Sequence, residues 1–146
     1  MVAHWRGIDK QHGNNTSPLL VGPQGYRKST FCRILLPPEL RFGYTDSIDF
    51  KSKQEAERSL GRFFLINIDE FDQINANQQG FLKHLLQKPV ANLRKPYGTT
   101  IQEMRRYASF IGTSNLKDLL TDPSGSRRFI CIEVTGPIQT NVTINY

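Results

Sequence analysis

The residues predict an α/β fold with a mostly parallel central sheet covered by helices on both faces. Short apolar runs at Leu19–Val21, Phe63–Ile68, Tyr107–Gly112 and Arg128–Val134 alternate with stretches of helical spacing, and that alternation builds βαβ units with right-handed crossovers. The Phe63–Ile68 run is apolar on both faces of a strand, the mark of a strand covered from two sides. A chain of 146 residues with 38% hydrophobic content suits one domain with a packed core.

Each element has its own local reason. Met1–Ile8 reads as the end of a helix and Gln11–Pro18 as a polar loop. Leu19-Leu20-Val21 is a strand ending at Gly22. Lys28–Leu36 is a short helix stopped by Pro37-Pro38, because proline has no N–H and clashes with the preceding turn. Arg41–Ser52 reads as loop. Ser52–Leu60 is a helix with Ser52 as N-cap, Glu55 three residues on, and Gly61 as its end. Phe63–Ile68 is the second strand. Asn75–Gln87 is helical, with Phe81, Leu82, Leu85 and Leu86 on its core face. Val90–Gln102 is a hairpin or irregular excursion, Tyr107–Gly112 the third strand, Leu116–Leu120 a short helix, Thr121–Ser126 a turn, and Arg128–Val134 the fourth strand. The domain organisation expected is a helix end and linker over 1–18, a core over 19–135 and a tail over 136–146.

Composition narrows the partners. The net charge is +6 and the pI about 9.5, a balance that fits either a solvated basic surface or polyanionic partners such as nucleoside triphosphate, DNA or RNA. Cys32 and Cys131 form no CxxC pair and have no neighbouring histidines, so neither a disulfide framework nor a zinc site is expected. No apolar stretch is long enough to span a bilayer and no signal peptide is visible, so a cytoplasmic location is expected.

The chemistry concentrates at Gly22-Pro23-Gln24-Gly25-Tyr26-Arg27-Lys28-Ser29, between the first strand and the first helix. This is the GxxxxGKS phosphate-loop pattern with Arg27 in place of its last glycine. Glycines let backbone N–H groups turn inward around phosphate oxygens, and Arg27 still offers its amide. Gly22, Gln24, Gly25, Tyr26, Arg27, Lys28, Ser29 and Thr30 are the candidate nucleotide-binding residues, with Lys28 on the β- and γ-phosphates and Ser29 on magnesium. An ordinary glycine-rich turn is the bland alternative.

Ile66-Asn67-Ile68-Asp69-Glu70 supplies the carboxylates such a loop needs, at the carboxyl end of a buried strand where α/β folds bind ligands. Asp69 is expected to hold magnesium and Glu70 to activate the attacking water; a helix cap at Asp69 is the competing reading. Phe110-Ile111-Gly112-Thr113-Ser114-Asn115 ends the third strand in polar residues. Asn115 is expected to position the water and sense the γ-phosphate, unless Thr113 or Ser114 merely caps the next helix. In Gly125-Ser126-Arg127-Arg128-Phe129, either Arg127 or Arg128 would neutralise charge on the transferring phosphoryl group.

The series GPQGYRKST, INIDE, FIGTSN and GSRRF resembles the virulence-associated protein E family, phosphate-loop ATPases of phages and mobile elements related to superfamily 3 helicases and AAA+ proteins. The resemblance runs from about Leu19 to Val134. It implies a three-layer P-loop NTPase fold, ATP and Mg2+ as ligands, a homo-oligomeric ring in which an arginine acts on the neighbour's site, DNA as track, and a primase as a companion. By the same resemblance, Arg94 and Lys95 fall in an insertion that carries a DNA-contacting hairpin, with a solvated loop as the equal alternative. Helices expected before the first strand and a distal lid are missing from the sequence, so a piece of a longer protein is expected. The activity implied is ATP hydrolysis in replication of a mobile element. A nucleotide-binding module with little turnover and a small phosphate-loop kinase are the alternatives; Asp69-Glu70 with Asn115 suits water activation better than an acceptor pocket.

Overall fold

The computed structural model describes residues 16–94, 97–115 and 128–141. Five strands form one sheet: β1 (Ser17–Val21), β2 (Tyr44–Thr45), β3 (Leu65–Ile68), β6 (Ser109–Ser114) and β7 (Phe129–Glu133). Their order across the sheet is β2-β3-β6-β1-β7, and every neighbouring pair is parallel. All five carboxyl ends therefore open on one edge. A separate antiparallel hairpin joins β4 (Val90–Arg94) to β5 (Ile101–Arg105), with Val90 opposite Arg105 and Arg94 opposite Ile101.

The helices cover both faces, as expected. Helix α1 (Lys28–Ile34) lies on one face, where Cys32 and Leu36 pack on Leu20, Leu65 and Ile111. Helices α2 (Lys53–Arg62) and α3 (Ala76–Gln87) cover the other, burying Ala56, Leu60, Leu82, Leu85 and Leu86 against Leu19, Val21, Ile66, Ile68 and Phe110. Each fully buried leucine or isoleucine contributes roughly 1.5–3 kcal/mol relative to exposure. Phe81, placed in the core by its spacing, is only partly buried at the margin of that layer.

Local chemistry sets the helix ends. Ser52 accepts the Glu55 amide at 3.3 Å, the expected N-cap. Asn75 accepts the Gln78 amide at 2.9 Å, and the Gln78 side chain accepts the Asn75 amide in return, a full capping box. Helix α3 ends on a buried cation: Arg106 donates from one terminal nitrogen to the carbonyls of Leu85 (2.6 Å), Leu86 (3.0 Å) and Lys88 (2.7 Å), and from Nε to Ala108 (2.9 Å). Burial pushes its pKa down to about 10, still charged at neutral pH.

Several expected boundaries move. Helix α2 runs past Gly61 to Arg62, and Gly61 lies within its last turn, where an added Cβ would meet Met104 at 2.9 Å. Strand β1 starts at Ser17, two residues early. Its pairing with β6 begins at Leu19, past Pro18, which has no N–H to donate. Tyr44–Thr45 lies in the stretch expected as loop, yet pairs with Leu65 and Ile66 as the edge strand. Strand β6 sits two residues further along than expected, so Thr113 and Ser114 belong to the strand. The expected helix within Met1–Ile8, the helix Leu116–Leu120 and the turn Thr121–Ser126 lie outside the described residues. No helix among the described residues is long and apolar enough to cross a membrane.

Candidate functional site

The carboxyl edge of the sheet brings together the loop after β1, the end of β3 and the end of β6. They enclose a cavity of about 380 Å³ lined by Gln24, Gly25, Arg27, Lys28, Ser29, Thr30, Asp69, Glu70, Thr113, Ser114 and Asn115. All but Thr113 and Ser114 had been assigned site roles from the sequence.

The loop after β1 depends on two left-handed residues. Gly25 sits at φ 86°. Arg27 sits at φ 59° and ψ 29° as the N-cap of α1, with no side chain capping the helix. That conformation is why the phosphate-loop pattern places glycine there, and a side chain in it costs on the order of 1 kcal/mol. The loop accepts Arg27 without losing its turn. Gly22 has a different reason to be glycine: a Cβ there would lie 2.7 Å from the Val134 carbonyl oxygen.

Lys28 ties the loop to the sheet. Its ammonium donates to the carbonyls of Gly22 (2.7 Å) and Pro23 (2.8 Å) and to Oδ1 of Asn115 (3.1 Å). It is 7% exposed. Burial lowers its pKa, and the nearby carboxylates of Asp69 and Asp72 oppose that shift without cancelling it.

Asp69 joins the other two walls. Its Oδ1 accepts the Ser29 hydroxyl at 2.7 Å and also the Thr113 hydroxyl of β6. Thr113 and Ser114 are 3% and 1% exposed, and carboxylates satisfy both hydroxyls, because Ser114 donates to Asp72 Oδ1 at 2.8 Å. Polar character suggests an end to β6; carboxylate partners from the segment after β3 let it continue. Glu70 is exposed and left-handed at φ 50°. Burial pushes the Asp72 carboxyl up, but hydrogen bonds from Ser114 and Gln73 outweigh it and hold the group below the usual range.

The oxygens of Ser29 and Asp69 are hard donors suited to magnesium. No group of three or more His, Cys, Asp or Glu that could hold a metal occurs among the described residues. A cation here would therefore take one carboxylate and one hydroxyl, with its remaining positions left to water and phosphate, the usual pattern for magnesium beside a nucleotide.

Other assigned residues fall elsewhere. Tyr26 is half-buried outside the cavity lining, and its carbonyl accepts the Ile138 amide at 3.1 Å. With Val134 donating to Val21 at 2.7 Å, this lays the segment after β7 alongside the phosphate loop, a contact that no motif announces. Arg128 stands at the opposite edge: its carbonyl accepts from Ser17 at the start of β1, about 13 Å from that strand's far end at 3.3 Å per residue. Gln87, with its amide oxygen turned toward it, accepts from the Arg128 guanidinium. Arg127 and Lys95 lie outside the described residues. Arg94 ends β4, in the expected hairpin, and its side chain is also outside them.

Comparison with known proteins agrees with this architecture. The chain is similar to the apo structure of the NrS-1 C-terminal region (305–718), with TM-score 0.62 and 17% identity over 97% of this chain and 36% of that one. It is also similar to the A form of the same region, with TM-score 0.60 and 16% identity over 93% and 32%. At that identity the likeness is one of fold, and the chain spans about a third of each of those proteins. No curated protein matches it. The model of the virulence-associated protein E-like domain matches residues 5–146, nearly the whole sequence, and the chain belongs to that family.

Proposed function

We propose that this chain binds ATP with magnesium at the carboxyl edge of the sheet and hydrolyses it, as part of a helicase-like protein that replicates the DNA of a phage or mobile element. The observation that carries the reading is the convergence of Lys28, Ser29, Asp69 and Asn115. The loop serine meets the strand carboxylate at 2.7 Å, and the loop lysine meets the β6 amide at 3.1 Å. Two strands and a loop distant in sequence thus present an ammonium, a hydroxyl, a carboxylate and an amide to one cavity.

In this reading Lys28 leaves its carbonyl acceptors for the β- and γ-phosphates, and the loop amides around Gly25 and Arg27 take phosphate oxygens. Ser29 and Asp69 hold the magnesium, which supplies neutralisation of the phosphate charge. Glu70 accepts the proton of the attacking water, and Asn115 orients that water. Arg127 or Arg128, just before β7, is assigned to a neighbouring copy's site, which makes a homo-oligomeric ring the working form. Arg94 and Lys95 are assigned to DNA, and a primase is the expected companion.

Glu70→Gln tests the chemistry. ATP binding should survive while DNA-stimulated hydrolysis falls by about a hundredfold or more; equal turnover in the variant and the parent would remove Glu70 as base. ATP binding without any turnover in the assembled oligomer would instead leave the chain a nucleotide-binding module. For DNA, Arg94→Ala with Lys95→Ala should weaken affinity and flatten its salt dependence. Unchanged affinity would take the hairpin out of the account.

A further inference from the structure

Asp72 lies three residues beyond Asp69 and does not line the cavity, yet its side chain reaches back to it. Left-handed Glu70 turns the chain into a single 3-10 turn over Phe71–Gln73, closed by the Gln73 amide on the Glu70 carbonyl at 2.8 Å. Phe71 anchors that turn. It is 5% exposed, and its ring meets that of Phe129 edge-on at 4.7 Å. The turn carries the Asp72 carboxylate across to the end of β6. There Oδ1 accepts the Ser114 hydroxyl at 2.8 Å and the Asn115 amide at 3.4 Å, while Oδ2 accepts the Gln73 side chain at 2.9 Å. Asn115 is the next link, because its own Oδ1 meets Lys28.

We infer that Asp72 is a positioning residue: through Ser114 and the Asn115 amide it fixes the end of β6 so that the Asn115 side chain faces Lys28 and the cavity. This rests on the ATPase reading for its consequence, since Asn115 is the residue assigned to orient water. Asp72 does not line the cavity itself and acts through Ser114 and Asn115. The pairing of β6 with β3 stops at Gly112, so on that side Thr113 and Ser114 have no strand partner and their buried hydroxyls take carboxylates instead. Asp69 holds Thr113, Asp72 holds Ser114 and Asn115, and the two carboxylates together pin the end of β6 and the residue after it to the segment that follows β3.

The role depends on an acceptor in the right place and not on negative charge, which fixes the test. In the full chain, Asp72→Ala removes the acceptor and Asp72→Asn keeps one. Amide hydrogen exchange should rise selectively at Ser114 and Asn115 in Asp72→Ala while Ile66–Ile68 stay protected, and Asp72→Asn should restore most of the protection. This readout does not involve turnover. Unchanged exchange at the end of β6 in Asp72→Ala overturns the inference whether or not the protein hydrolyses ATP. Where the parent does hydrolyse ATP, Asp72→Ala should lower kcat by about tenfold or more with a smaller change in KM, the scale seen when supporting partners of a site are removed. Adding it to Asn115→Ala should cause no further loss. Full additivity of the two, or an Asp72→Asn as inactive as Asp72→Ala, would also overturn the inference. Absence of turnover in the parent would count against the ATPase reading alone.

Discussion

Lys28→Met separates what this side chain does for the fold from what it does for a ligand. Methionine keeps an unbranched stem of similar length and deletes the ammonium. Three acceptors lose their donor, but they are not equal. Gly22 is buried, while Pro23 and Asn115 are exposed and can turn to water. The fold therefore loses one buried acceptor's partner, about 1–3 kcal/mol. Against that, a poorly solvated charge disappears, since burial outweighs both carboxylates in lowering the Lys28 pKa. The expected net loss is about 1 kcal/mol, read as a small shift of the urea midpoint. Nucleotide binding should suffer more, because a charged hydrogen bond to phosphate is worth about 1.5–3 kcal/mol, roughly tenfold to hundredfold in Kd.

The same residue sets a pH signature. Its folded pKa lies below the reference value of 10.5, so in the window between the two the unfolded chain holds more of the proton. Stability of the ligand-free protein should therefore gain from Lys28 as pH rises through that window, while ATP affinity falls as the ammonium is lost. Both trends should vanish in Lys28→Met. Titration calorimetry and urea unfolding measure them. An ATP affinity unchanged by the substitution would refute the assignment of Lys28 to phosphate.

Three other substitutions or treatments follow from the packing. Arg106→Met strips three buried carbonyls and one half-buried one of their donor and should cost about 3 kcal/mol or more in urea unfolding; a loss under about 1 kcal/mol would deny the cation its capping role. Gly22→Ala places a methyl 2.7 Å from a backbone oxygen that cannot rotate away, so stability should fall by about 1–3 kcal/mol and ATP affinity with it, whereas wild-type values for both would mean that the segment at Val134 yields freely. Burial raises the Cys32 thiol from 9.0 to about 12, so at pH 8 its thiolate is scarcer by about a thousandfold than that of an ordinary cysteine. Alkylation of Cys32 should wait for unfolding, and mass spectrometry showing rapid modification of the native protein would contradict that burial.

Much of the fold was legible because its strands announce themselves locally. Phe63–Ile68 needs burial on both faces wherever it goes, and Asn75 with Gln78 writes a helix start into four residues. Tyr44–Thr45 was not legible, since a two-residue edge strand has no periodicity of its own and exists only through Leu65 and Ile66. The site divided the same way. Lys28, Ser29, Asp69, Glu70 and Asn115 are recognisable by residue type and spacing, and they line one cavity. Thr113 and Ser114 read equally as helix caps, and a third carboxylate at Asp72 says little about the site until the chain folds. Asp72 did have one visible sign: it repeats the acidic character of Asp69 and Glu70 after a single intervening residue.

A single oxygen, Oδ1 of Asp69, already serves two clients. One is a hydroxyl from the helix that opens the loop and the other a hydroxyl from the middle of the molecule. In the proposed reading, a magnesium ion taking that oxygen would compete with both hydroxyls, and Ser29 would meet it by changing from donor to ligand. Thr113 has no such second role. On that reading, occupancy at the loop would reach β6 through the single bond from Thr113 to Asp69.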